Sequence, residues 1–191
     1  MTKYAFAINL HRCIGCRTCT VSCKMENGVA DGIARIPVYN DEGTTTLDVP
    51  SGTYPNVTFL WRPTPCQHCD NPPCVEVCPT GATTKRKDGV VVVDKTTCIG
   101  CESCAKACPY NARSLDPETQ IIDKCELCIH RLSNGEEKTM CQLCCPNRAI
   151  TVGDLDDPDS AISKIVSKNE CEQLLVEEGT GPNVYYWRSV K

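Results

Sequence analysis

The sequence is poor in the residues that build an ordinary core. Its 191 residues include 2 Phe, 2 Trp and 3 Met, and 41% are hydrophobic. A large aromatic-aliphatic core is therefore not expected, and something else must hold the chain together. No apolar stretch approaches 18 residues, and runs such as Val90–Val93 are far shorter, which argues against a membrane-spanning helix. A basic excess is missing too: the net charge is −4 and the pI about 5.4, the wrong balance for a nucleic-acid partner. The opening, Met1 to Tyr4, leads into neither an apolar signal region nor a twin-arginine pair. Any export is thus expected to take place in company with another protein.

What is abundant is cysteine, 18 of 191 residues, or about 9% against ordinary usage of a few per cent. Sixteen fall into four groups: Cys13, Cys16, Cys19 and Cys23; Cys66, Cys69, Cys74 and Cys78; Cys98, Cys101, Cys104 and Cys108; Cys125, Cys128, Cys141 and Cys145. Cys144 and Cys171 are left over. Disulfide scaffolds are usually shorter and enter the secretory route behind a signal peptide. A tetrahedral zinc site takes two Cys-x2-Cys pairs, so a third cysteine two residues further on is surplus. A cubane iron–sulfur cluster takes three thiolates from a short wrapped loop and a fourth from a distance. The run Cys-x2-Cys-x2-Cys-x3-Cys-Pro has that form, its fourth cysteine ligating the other cluster of a pair. Proline follows Cys78, Cys108 and Cys145, whereas Lys24 follows Cys23.

A repeat runs through the groups. Cys78, Cys108 and Cys145 each open Cys-Pro-x-x-Ala, ending at Ala82, Ala112 and Ala149. Strands are expected at 82–85, 112–115 and 149–153, and ahead of the first two groups at Tyr4–Asn9 and 57–62. Asp88-Gly89 is a hairpin turn signal before Val90–Val93, and 16–24 and 101–107 read as short helices. The second and third groups, bridged by that hairpin, form one cluster pair. The first and fourth then pair around it, although spacing alone also allows first with second and third with fourth.

These motifs resemble the iron–sulfur electron-transfer (beta) subunit of complex molybdopterin oxidoreductases, of the dimethyl sulfoxide, polysulfide and thiosulfate reductase type. The resemblance rests on the four groups, on the fourth-group spacing Cys125-x2-Cys128-x12-Cys141-x3-Cys145-Pro, and on local phrases around Cys23–Asn27, Cys69–Cys74, Cys108–Arg113, Cys128–Arg131 and Gly153–Pro158. It covers about residues 3 to 188.

The resemblance implies an α+β fold of two nested bacterial-ferredoxin-like modules, with short antiparallel strands and short helices around two cubanes each. The outer module is 1–54 plus 113–155, the inner is 55–112, and 156–191 is a C-terminal extension. It also implies four 4Fe-4S clusters with iron ligands in quartets: Cys13, Cys16, Cys19 and Cys145; Cys23, Cys125, Cys128 and Cys141; Cys66, Cys69, Cys74 and Cys108; Cys78, Cys98, Cys101 and Cys104. Some relatives carry tryptophan in the third group and hold a three-iron cluster there; this chain keeps Cys101.

No nucleotide-binding glycine motif, Ser/His/Asp pattern or open metal position is present, so no catalytic residue is expected. The implied role is non-catalytic: single electrons pass between a molybdopterin-containing catalytic subunit and another redox partner, in many members a quinol-oxidising membrane anchor. The implied location is at a membrane through partner subunits, on the outer, periplasmic face in many relatives, with cytoplasm-facing members in the family as well. Two other readings compete: a free-standing polyferredoxin carrier and a structural zinc protein. The substrate of the catalytic subunit lies outside this chain.

Several single residues are open to two readings. His11, His68 and His130 lie near cluster loops, where shaping the loop is the simpler role. Lys24, Arg131 and Arg148 neighbour ligand candidates and either bias a potential or face solvent. Tyr185–Trp187 is a docking patch or a last strand, and Cys171 a structural or free thiol in an acidic helical stretch. The segments 40–55 and 133–140 read as irregular loops.

Overall fold

The computed structural model describes residues 2–46 and 49–188; Met1, Leu47, Asp48 and Ser189–Lys191 lie outside the described residues. In chain order the elements are β1 (Tyr4–Asn9), α1 (Thr18–Asn27), β2 (Val38–Asn40), β3 (Ser51–Thr53), β4 (Asn56–Thr58), β5 (Trp61–Pro63), α2 (Pro73–Glu76), β6 (Thr83–Lys85) and β7 (Val91–Val93). There follow α3 (Ser103–Lys106), β8 (Ser114–Leu115), β9 (Ile122–Asp123), α4 (Ile129–Ser133), α5 (Met140–Leu143), β10 (Ile150–Asp154), α6 (Ala161–Lys168), β11 (Cys171–Glu172) and β12 (Val184–Trp187). The result is a small α+β fold of short strands and helices.

The organising sheet has the order β10-β1-β12-β11. Strand β1 is apolar almost throughout and buried on both faces, as a central strand must be. It pairs antiparallel with β10, Phe6 opposite Val152, and parallel with β12, Phe6 opposite Val184. Successive side chains alternate between the faces. Ala5 and Ala7 point to the side where α6 packs, with Ile162 fully buried between them and Trp187. Their small size and the bare Cα of Gly153, whose added Cβ would lie 3.3 Å from Ile162 Cγ2, let the helix approach closely. Phe6 and Ile8 point the other way, into a core shared with Val152, Tyr186 and five thiols: Cys19, Cys23, Cys66, Cys125 and Cys141. Cysteine thus occupies the volume that aromatic residues fill elsewhere.

Four two-stranded ribbons complete the fold: β2–β5, β3–β4, β6–β7 and β8–β9. The Asp88-Gly89 hairpin forms as expected, with Thr83 opposite Val93 and Gly89 at φ +83°. The expected strand at 57–62 is instead two, β4 and β5, with Phe59 and Leu60 outside both. Segment 40–55 carries β3 within its loop. Cys171 is on a strand, not a helix, because it pairs with Trp187 across β11–β12. Tyr185–Trp187 is a last strand, with Tyr186 buried and its hydroxyl donating to Pro63 O at 3.1 Å. Segment 156–191 therefore contributes two of the sheet's four strands over its described part. No helix among the described residues is long and apolar enough to cross a membrane.

Candidate metal centres

The Cys-Pro-x-x-Ala repeat has a common backbone. The fourth position is left-handed in all three copies, at Gly81 (φ +70°), Asn111 (φ +50°) and Arg148 (φ +50°). Its N–H donates back to the cysteine carbonyl at 3.3, 3.2 and 3.1 Å respectively. That turn swings the following N–H groups toward sulfur: Ala149 N donates to Cys145 Sγ at 3.2 Å and Thr83 N to Cys78 Sγ at 3.5 Å. The first halves of the cysteine groups curl likewise. Gly15 and Arg17 flank Cys16 with positive φ, and Gly100 and Glu102 flank Cys101 in the same way. Glycine is required at Gly100, where a Cβ would lie 2.2 Å from Gln120 O, and at Gly15, where it would meet the Trp61 ring at 2.7 Å.

These loops place the thiols as follows. Cys13, Cys16, Cys19 and Cys145, from opposite ends of the sequence, line one cavity with about 350 Å³ of atom-free space. Cys66, Cys69, Cys74 and Cys108 line a second of about 300 Å³. Cys23, Cys125, Cys128 and Cys141 are all buried, and three of them feel the charge of others in the set: Cys23 that of Cys128, Cys125 that of Cys23 and Cys141, and Cys141 that of Cys128 and Cys23. Cys101 feels Cys78 at the exposed end, while Cys98 and Cys104 pack together beside Cys74. Cys125 also feels Cys66, so the second and third sets adjoin. Cys144 turns toward Met140, 3.5 Å from its sulfur, and Cys171 packs against the α6 face of the sheet.

The donor set fits an anionic polynuclear centre. Burial pushes Cys19 and Cys69 up to about 12 and Cys23 to about 11, with nearby thiols adding to the rise at each. Thiols so placed lose their protons when a metal binds the sulfur, so loading releases protons to solvent. Cys78 goes the other way: desolvation opposes it, but the N–H and hydroxyl groups of Thr83 and Thr80 bring it down to about 7. Among the described residues no three ligating side chains close on a point, as one zinc ion demands; the first and third sets line cavities instead.

Of the histidines, His68 is wholly buried, with Nδ1 accepting from Val91 N at 3.0 Å. His130 Nε2 lies 3.0 Å from Glu26 Oε1. Lys24 donates to the carbonyls of Ala30 and Ile33, and Arg131 pairs with Glu26 and Glu136. The buried cations are others: Arg35, Arg113 and Lys124. Sequence reasoning missed all three. The places of Arg113 after a Cys-Pro-x-x-Ala copy and of Lys124 before Cys125 were visible in the sequence, but their burial was not.

Fold and site together define a polynuclear iron–sulfur protein. The sequence profile of the 4Fe-4S dicluster domain matches residues 57–155, and a second profile of the same description matches residues 12–82. A tetrathionate reductase subunit of Salmonella typhimurium is 44% identical, covering 96% of this chain and 72% of that one. A sulfite dehydrogenase subunit of Allochromatium vinosum is 43% identical, covering 97% and 83%. The arsenate respiratory reductase iron–sulfur subunit of a Shewanella strain is 33% identical, covering 98% and 97%. The chain belongs to this family, the iron–sulfur electron-transfer subunits of molybdenum oxidoreductase complexes. Its cofactors are four 4Fe-4S clusters, and it is an electron-transfer subunit rather than a catalytic one.

Proposed function

We propose that this chain is the relay between a molybdopterin-containing catalytic subunit and a second redox partner, a quinol-oxidising membrane anchor. In this reading its iron ligands are Cys13, Cys16, Cys19 and Cys145; Cys23, Cys125, Cys128 and Cys141; Cys66, Cys69, Cys74 and Cys108; and Cys78, Cys98, Cys101 and Cys104. The observation that carries the assignment is the cavity where Cys145 meets Cys13, Cys16 and Cys19. When bound, the clusters supply one-electron transfer without bonds made or broken. The chain's own residues fix the thiols, direct N–H groups at sulfur and exclude water from the buried quartets.

The two nested modules, 1–54 plus 113–155 around 55–112, follow from the same quartets, since each quartet of the outer pair draws on both outer segments. The 156–191 segment then serves the outer module by completing its sheet. The complex is membrane-associated through its partners, on the periplasmic face. Substrate choice lies with the catalytic subunit: the relatives' names give tetrathionate, sulfite and arsenate for chains of one pattern.

The test is metal analysis of anaerobically purified protein. Four cubanes require sixteen iron and sixteen acid-labile sulfide per chain. Zinc without sulfide would overturn the reading. Recovery from its native source with no molybdenum-containing partner would favour the free-standing carrier.

A further inference from the structure

Among the described residues, two buried cations have no carboxylate partner. Lys124 is 2% exposed; its ammonium donates to the carbonyl oxygens of Cys125, at 2.8 Å, and of Val91. Arg113 is 6% exposed and donates to Cys74 Sγ at 3.0 Å and to Thr83 Oγ1 at 3.1 Å. Among the described residues neither has an ion-pair partner, whereas the third buried cation, Arg35, is matched by Asp123. A buried, unmatched ammonium is costly, so an anion is to be expected beside it.

A third group points the same way. His68 accepts from Val91 N through Nδ1, which leaves its proton on Nε2, and that atom is buried with no acceptor among the described residues. Lys124 and His68 both hold Val91, and Val91 lines the cavity of Cys66, Cys69, Cys74 and Cys108. Lys124 also adjoins Cys125 of the neighbouring quartet, and its charge reaches Cys74. It therefore stands where the second and third quartets meet.

We propose that Lys124 is a positioning charge for electron transfer: a fixed cation that raises the reduction potentials of the two clusters it stands between. This rests on the quartets given above. A cubane held by four thiolates is anionic and gains one further negative charge on reduction, so a cation sealed in low dielectric favours the reduced form. One electron leaves one cluster and enters the next, and no bond at the lysine is made or broken.

The experiment compares the intact, cluster-loaded protein in its complex with Lys124→Met, Lys124→Gln and Lys124→Arg variants. The readouts are iron content and the four midpoint potentials, followed by redox titration with electron paramagnetic resonance. Expected for Met and Gln is a full complement of iron, with at least one midpoint lowered by a tenfold or greater fall in the reduction equilibrium constant, roughly 59 mV for a one-electron couple. Arg should restore the midpoint. Four unchanged midpoints in the Met and Gln variants would overturn the proposal, as would an Arg variant shifted as far as Met. Should Met and Gln lose iron, retention in Arg supports the charge and loss in Arg refutes it. The quartets fail separately: a Cys66→Ser variant with normal iron and spectra undermines them whatever the lysine does.

Discussion

At the scale of single residues, the molecule depends on where positive charge is matched and where it is not. Arg35 donates through Nε to Asp123 Oδ2 at 2.8 Å, and its second contact reaches Oδ1 of the same carboxylate. The pair is buried beside Cys23, whose thiol feels both partners. Removing one half of such a pair leaves a charge in low dielectric and costs about 3–5 kcal/mol. Asp123→Ala should therefore lower stability by about that amount, seen as a fall in the thermal midpoint of the loaded protein, while Asp123→Ala with Arg35→Met should recover a good part of it. The ligand candidates were legible in the sequence because thiol spacing is itself the chemistry: three ligands on one wrapped loop fix the interval between them. The buried cations were not. Nothing local separates Lys124 from Lys24, since both neighbour a ligand cysteine, and only the tertiary packing of β7 beside residue 124 decides which is buried.

At the scale of elements, strands were the more readable. The apolar run of β1 and the hairpin around Gly89 came from residue pattern, as did the short segments after each Cys-Pro-x-x-Ala turn. Pairing partners were harder, because β11 and β12 are defined by neighbours far off in the chain; Cys171 looks helical beside its acidic flank and is a strand only because Trp187 lies opposite. Helix α6 shows how an element attaches to the relay without touching it. Ser160 caps its first turn, accepting from Ser163 N at 3.1 Å, and Ile162 is its fully buried anchor on the face of the sheet turned away from the thiol-rich core. Ile162→Ala should cost about 2–5 kcal/mol. Because the helix lies opposite that core, the iron content and the four midpoints should stay unchanged below the new melting temperature; a shifted midpoint would mean that the sheet transmits the cavity to the clusters.

At the scale of the whole molecule, the largest core cluster holds five thiols among its sixteen buried residues. A core of that kind is stable only while those thiols are ligated, for buried thiolates left bare are costly and protonated ones leave the cavities unfilled. Stripping iron with a chelator and an oxidant should therefore remove the cooperative thermal transition and expose apolar surface, read by calorimetry and dye binding. A cooperative transition surviving in the iron-free chain would show that the sheet and α6 suffice as a core. The two exposed thiols among the ligand candidates are Cys16 and Cys101; in the proposed quartets they fall in the first and fourth, so cluster loss by oxidants should begin there and reach the buried second quartet last.

The parallel pairing of β1 with β12 also sets an order of events during synthesis. β1 is made before every other element described here, and its parallel neighbour β12 after them all. The second and third cysteine groups, with the β6–β7 ribbon between them, are complete long before Cys141, Cys145 and Val184 have been made. A nascent chain can thus assemble its middle while β1 waits for β12, and that strand and the first cysteine group stay open to oxidation and to other chains until β12 has been made.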